Sequence, residues 1–100
     1  MAKELNSKQG KRNIHIMAVM LKAVAHPDRL AILQLLFRSP DERLVVKEIY
    51  EKLHLQQPVV SRHLNILKNA GVIRRLPKGQ KIYYCLCSEK KTIESLSRCL

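Results

Sequence analysis

Fourteen residues, Pro58 to Gly71, constrain this chain more than any other stretch. Pro58 stands where the first turn of a helix has no use for a backbone N–H, and Gly71 where a helix ends on a left-handed residue. Between them Val60, Leu64 and Leu67 recur at i, i+4 and i+7, one inward stripe of a helix spanning Gln57–Ala70. Gln57, Ser61, Arg62, Asn65, Lys68 and Asn69 are left facing out. Just upstream, Val46–Leu53 spaces Ile49 and Leu53 four apart, with Lys47, Glu48, Glu51 and Lys52 on the other side. His54-Leu55-Gln56 leaves room only for a turn. The segment is predicted to be a helix-turn-helix whose second helix is polar on its free face.

Beyond Gly71, Val72–Leu76 and Lys81–Leu86 are predicted strands joined across Pro77-Lys78-Gly79-Gln80, with Ile82, Tyr84 and Leu86 alternating onto one side. A basic hairpin directly after such a helix is a wing. Charge agrees: from Lys52 to Ser88 there are seven basic residues (Lys52, Arg62, Lys68, Arg74, Arg75, Lys78, Lys81) and no Asp or Glu. A solvated surface carries both signs. A one-signed run over a helix-turn-helix is better explained by a phosphate backbone.

The whole chain supports that reading. A net charge of +11 in 100 residues makes nucleic acid the first partner to consider and an anionic membrane the second. The length suits one domain with a single modest core. The longest apolar run, Ile14 to Ala25, contains His15 and Lys22 and is too short for a bilayer, and no signal peptide is visible, so no membrane partner is expected. Three cysteines without framework spacing suit a reducing cytoplasm. With only Gly10, Gly71 and Gly79, no phosphate-cradling loop can be built. No acid lies near a histidine in the basic half and no nucleophile–base set can be placed on one surface, so no enzymatic activity and no cofactor are expected.

Residues 1–13, polar and basic, are expected to be a flexible segment, a solubilising tail or, as the alternative, a DNA-touching arm. Residues 14–100 form the folded domain. Ile14–Ala25 has a helical pattern with apolar residues all the way round, which predicts cover on more than one side and, in so short a chain, contact with a second subunit. Pro27 and Asp28 start another helix, marked by Leu30, Leu33, Leu36 and Phe37 and ending near Arg38. Ser39-Pro40-Asp41-Glu42 is a turn, and Arg43-Leu44-Val45 leads into the helix-turn-helix. Ser88 caps a last helix with Ile93, Leu96 and Leu100 on one face, placed against the first helix of its own chain or of a partner. The expected architecture is mainly α with a small β-hairpin, in the order α-α-α-α-β-β-α.

Three features now align: LKAVAHPDRLAILQLL (residues 21–36), LQQPVVSRHLNILKNAGVIRRLPKGQKIYYCL (residues 55–86) and the order between them. Together they resemble the ArsR-type winged helix-turn-helix repressors over about residues 14 to 100. The resemblance implies a homodimer through the first and last helices on a pseudo-palindromic double-stranded operator. It also implies repression released by a small inducer, often a metal or an oxidant, without saying which. It places DNA contacts on Gln57, Ser61, Arg62 and His63. Gln57 can pair with an adenine edge, and Arg62 can grip a guanine in bidentate fashion, worth about 1–3 kcal/mol of discrimination. Ser61 is short enough to favour a phosphate or a bridging water. For His63 a packed, hydrogen-bonded ring competes with a phosphate contact. Asn65 and Lys68 share the outer face, and Lys78, Gln80 and Lys81 in the wing are expected at the backbone or minor groove.

The departures from the family are equally informative. Relatives that sense soft metals carry a Cys-x-Cys pair where Val45 and Lys47 stand, and those that sense zinc on the last helix use Asp, His and Glu, whereas Ser88–Leu100 has no His and no Asp. No metal site is therefore expected. His26 stands where relatives often place an Asp cap, which predicts a weaker cap. Cys85 and Cys87, about 6.6 Å apart at about 3.3 Å per residue, point the same way on a strand, and Cys99 sits on the last helix. Either they form a thiol switch that releases DNA or they are three small space-filling hydrophobes. Three rivals complete the field: a winged helix used as a protein-interaction module, the thiol-switched repressor, and non-specific architectural DNA binding.

Overall fold

The computed structural model describes residues 8–86. The first helix, α1, spans Lys8–Val24, six residues earlier than the apolar pattern indicates. Its outer positions need no apolar residues once the inner ones, Met20 and Ala23, are buried. Helix α2 spans Pro27–Arg38 with Pro27 in its first turn, and a 3₁₀ turn follows at Pro40–Glu42. Ile32 and Leu36 bury the inner face of α2, with Leu33 and Leu35 packed partly against the core. Leu30 and Phe37 are exposed, at 52% and 71%, contrary to their expected core role. The helix is apolar nearly all round, so spacing alone cannot choose its buried face.

Arg43–Val45, expected only as a lead-in to the helix-turn-helix, is a strand, β1. It pairs antiparallel with β3 (Lys81–Leu86), which pairs in turn with β2 (Ile73–Lys78), giving a three-stranded sheet in the order β1-β3-β2. Strand β2 continues through Pro77 and Lys78, past its predicted end at Leu76. An edge strand can lack an N–H without breaking the ladder, which is why proline is tolerated there. The linking turn is only Gly79-Gln80, with Lys78 opposite Lys81 and a φ of 64° at Gly79, the positive value a two-residue hairpin turn asks of glycine.

Helices α3 (Val46–Leu53) and α4 (Gln57–Asn69) form the helix-turn-helix. His54 takes a left-handed φ of 54°, and the amides of His54 and Leu55 donate to the carbonyls of Glu51 and Tyr50. The same closure ends α4, where Gly71, at φ 80°, and Val72 donate to Lys68 and Leu67. These paired bonds satisfy the orphan carbonyls of each last turn and aim the chain sharply away. One core unites the elements: Ala23, Ile32, Leu36, Leu44, Ile49, Val60, Leu64, Leu67 and Ile73. Tyr84 and Leu86 pack against it, whereas Ile82 is exposed because the hairpin tip projects past the core. The expected last helix with Ile93, Leu96 and Leu100, and the residues Cys87 and Cys99, lie outside the described residues. No helix among the described residues is long and apolar enough to cross a membrane.

Candidate nucleic-acid interface

Helix α4 is held from behind by Val60, His63, Leu64 and Leu67, all buried. At about 100° per residue the opposite side carries Arg62, Asn65 and Asn69 at its middle, with Gln57, Ser61 and Lys68 along one edge. Gln57, Arg62 and Asn65 are exposed, and Ser61 and Lys68 are half-buried. One rigid rod thus presents amide, hydroxyl, guanidinium and ammonium groups on one face. Gln57 lies in the first turn of α4, which contains no acidic residue, so the positive end of the helix dipole is left for an anion.

The wing adds charge beyond the end of α4. Lys78, Gln80 and Lys81 are exposed at its tip, and Arg75 is exposed on β2. Lys78 and Lys81 are register partners across the turn. Like charges placed directly opposite one another destabilise a free hairpin, a cost that an anion between them would remove. The ion pairs among the described residues join Arg43 to Asp41, Lys47 to Glu51 and His63 to Asp28. Among those residues, Arg62, Lys68, Arg75, Lys78 and Lys81 have no acidic partner within 4.0 Å. Their charge is available to a phosphate chain.

His63 departs from its expected place among the DNA contacts. Its side chain is buried, at 8% exposure, behind the helix rather than on the free face. Position 63 completes the 60, 63, 64, 67 spacing of the inward stripe, which is the sequence signal that places it there. Its Nδ1 lies 3.4 Å from an Arg29 guanidinium nitrogen, and its Nε2 lies 3.6 Å from the Asp28 carboxylate. An arginine can only donate, so Nδ1 accepts and the neutral ring carries its proton on Nε2, towards Asp28. Burial, followed by the neighbouring His26 and Arg29 and opposed by Asp28, holds the imidazole pKa below its ordinary 6.5.

His26 does cap α2: its Nδ1 accepts the Asp28 amide at 3.1 Å, the role a carboxylate or hydroxyl usually fills. Its ring also packs on that of His63, centroids 4.7 Å apart. Arg29, in the same turn, donates through Nε to the Ala23 carbonyl. Three helices therefore meet at one polar junction behind the free face of α4, a junction that no local spacing in the sequence marks.

Cys85 is buried in the sheet at 7% exposure, its Sγ 3.4 Å from Arg74 Nε. It lies on the strand side opposite Tyr84 and Leu86, so β3 is covered on both faces there.

Against known proteins, residues 26–75 match the profile described as "Bacterial regulatory protein, arsR family". The transcriptional activator HlyU of Vibrio cholerae is 34% identical over 96 residues, spanning 94% of this chain and 86% of that protein. A solved structure of V. cholerae HlyU superposes with a TM-score of 0.68 at 36% identity, over 86% of this chain and 92% of that one. The transcriptional repressor PagR of Bacillus anthracis superposes with a TM-score of 0.73 at 31% identity, covering 88% of this chain and 98% of that one. The HTH-type transcriptional repressor SmtB of Mycobacterium tuberculosis is 42% identical over 67 residues, 67% of this chain, and the match spans 47% of that protein's length.

Proposed function

The chain belongs to the ArsR family of bacterial regulatory proteins, and we propose that it acts as a homodimeric repressor that binds a pseudo-palindromic operator. The observation that carries this reading is the free face of α4, where Gln57, Arg62 and Asn65 stand exposed between cations that lack acidic partners. Arg62 and Gln57 read base edges in the major groove, Asn65 assists, and Ser61 and Lys68 meet phosphates. Lys78, Gln80 and Lys81 follow the backbone beside it into the adjoining groove. The role is binding rather than catalysis. Occupying the operator excludes the transcription machinery, which is how such a binder represses.

The dimer reading draws on α1. Ile14 and Leu21 lie on the side of α1 opposite the buried Met20 and Ala23, and Ile16 and Val19 flank that buried strip, yet all four are exposed, from 40% to 58%. So many large apolar groups on one helix are best satisfied by a second copy. Two α4 helices related by a two-fold axis would then enter successive major grooves about 34 Å apart.

Selection of binding sites from a random duplex pool tests the reading. An inverted repeat with half-sites one helical turn apart is the expected return. Recovery of no motif would point to architectural binding, and indifference to duplex DNA at low ionic strength would favour the protein-interaction rival.

A further inference from the structure

The junction behind α4 contains more than a buried histidine. His26, Asp28 and His63 each offer a ligand atom, and these atoms lie within 4.8 Å of one another. Two are imidazole nitrogens and one is a carboxylate oxygen. His63 Nε2 and Asp28 Oδ2 are already 3.6 Å apart. Ligand atoms on a tetrahedral zinc ion, at about 2.0–2.2 Å from the metal, stand about 3.3–3.5 Å from one another. One pair is therefore already near ligand spacing, and the third atom lies within about 1.5 Å of it.

We propose that His26, Asp28 and His63 form a binding site for a first-row divalent transition metal, zinc above all, that ties the first turn of α2 to the inner side of α4. Two nitrogens and one oxygen suit zinc, cobalt or nickel and disfavour calcium and magnesium, which demand oxygen shells. Asp28 is 41% exposed and gives the ion an entrance and a fourth position for water.

Arg29 is the competitor in this site. Without metal its guanidinium donates to His63 Nδ1. Once Nε2 takes an ion, the neutral imidazole carries its proton on Nδ1, and that N–H cannot accept from an arginine. Arg29 must then leave His63, retaining its bond to the Ala23 carbonyl. Loading thus rearranges a contact between α2 and α4 at the residue next to Arg62. Binding of the ion stands independently of the DNA reading; only an effect of loading on operator affinity rests on it.

Cobalt(II) titration of the reduced full chain tests the proposal, because the spectrum reports which donors bind. The expected result is one ion per chain with visible d–d bands, displaced by zinc, and no thiolate charge-transfer band in the near ultraviolet. H26N keeps a capping side chain on α2 and D28N changes a partly exposed group, so both should stay folded by circular dichroism. Each should weaken cobalt binding at least about tenfold, while R29Q, which removes the competing cation, should strengthen it. Thiolate bands, unchanged affinity in both H26N and D28N, or no binding at millimolar cobalt would overturn the site. Site selection and duplex binding without metal would be untouched by that failure, so the two readings fall separately.

Discussion

His26 accepts the backbone N–H of Asp28 through Nδ1 at 3.1 Å, so an imidazole does the work of an N-cap at the start of α2. Loss of a cap side chain costs about 0.5–2 kcal/mol. His26→Ala should therefore lower unfolding stability by about that amount, and His26→Asn should restore most of it. Chemical denaturation of the two variants against the parent checks both.

Stability should also depend on pH through His63. Its folded pKa is below the ordinary 6.5, mainly because it is buried, so the unfolded chain binds a proton more readily than the folded one. The contribution is fully present above about 6.5 and is lost as pH falls through the lower folded value. Urea unfolding between neutral and mildly acidic pH, with a chelator present, should show stability falling on acidification. His63→Gln, with no proton to gain, should flatten that part of the profile. An identical pH profile in parent and variant would show that His63 does not titrate in this way.

The core behind the free face of α4 makes its own demand. Leu64 is fully buried between α4 and the rest of the core, at 0% exposure. Leu64→Ala should cost about 2–5 kcal/mol in equilibrium unfolding, through lost burial and the cavity left behind. Asn65→Ala, one position along on the free face, should change stability by less than about 0.5 kcal/mol and act on DNA instead.

On DNA the two classes of contact should separate. Lys78→Ala and Lys81→Ala should weaken all duplexes to a similar degree, each lowering the slope of log affinity against log salt by about 0.9. Arg62→Ala should instead lose about 1–3 kcal/mol of preference at one base pair. Titrations of operator and scrambled duplex at several salt concentrations distinguish these outcomes.

Much of this architecture is legible in the sequence because its signals are local. Pro58 and Gly71 bound α4, and Gly79 marks the wing turn, since each backbone position requires that residue type. Strand β1 is not legible: of its three residues only Leu44 is buried, and its existence depends on pairing with β3, some forty residues later. The exposed Leu30 and Phe37 escaped because α2 is apolar on nearly every side. His63 is the opposite case. Its spacing from Val60 and Leu67 marks the inner stripe, and of the two readings its sequence allows, the packed, hydrogen-bonded ring is the one found. The polar junction with His26, Asp28 and Arg29 joins residues 34 or more positions from His63, beyond the reach of any local pattern.

Guanine N7 methylation interference on the selected operator tests most directly whether the outer face of α4 lies in the major groove. A methyl group at N7 blocks a bidentate arginine there. The expected result is one or more guanines per half-site whose methylation prevents binding of the parent protein, at least one of which becomes indifferent in Arg62→Ala. An interference pattern identical in parent and Arg62→Ala, or confined to the minor groove, would contradict the account.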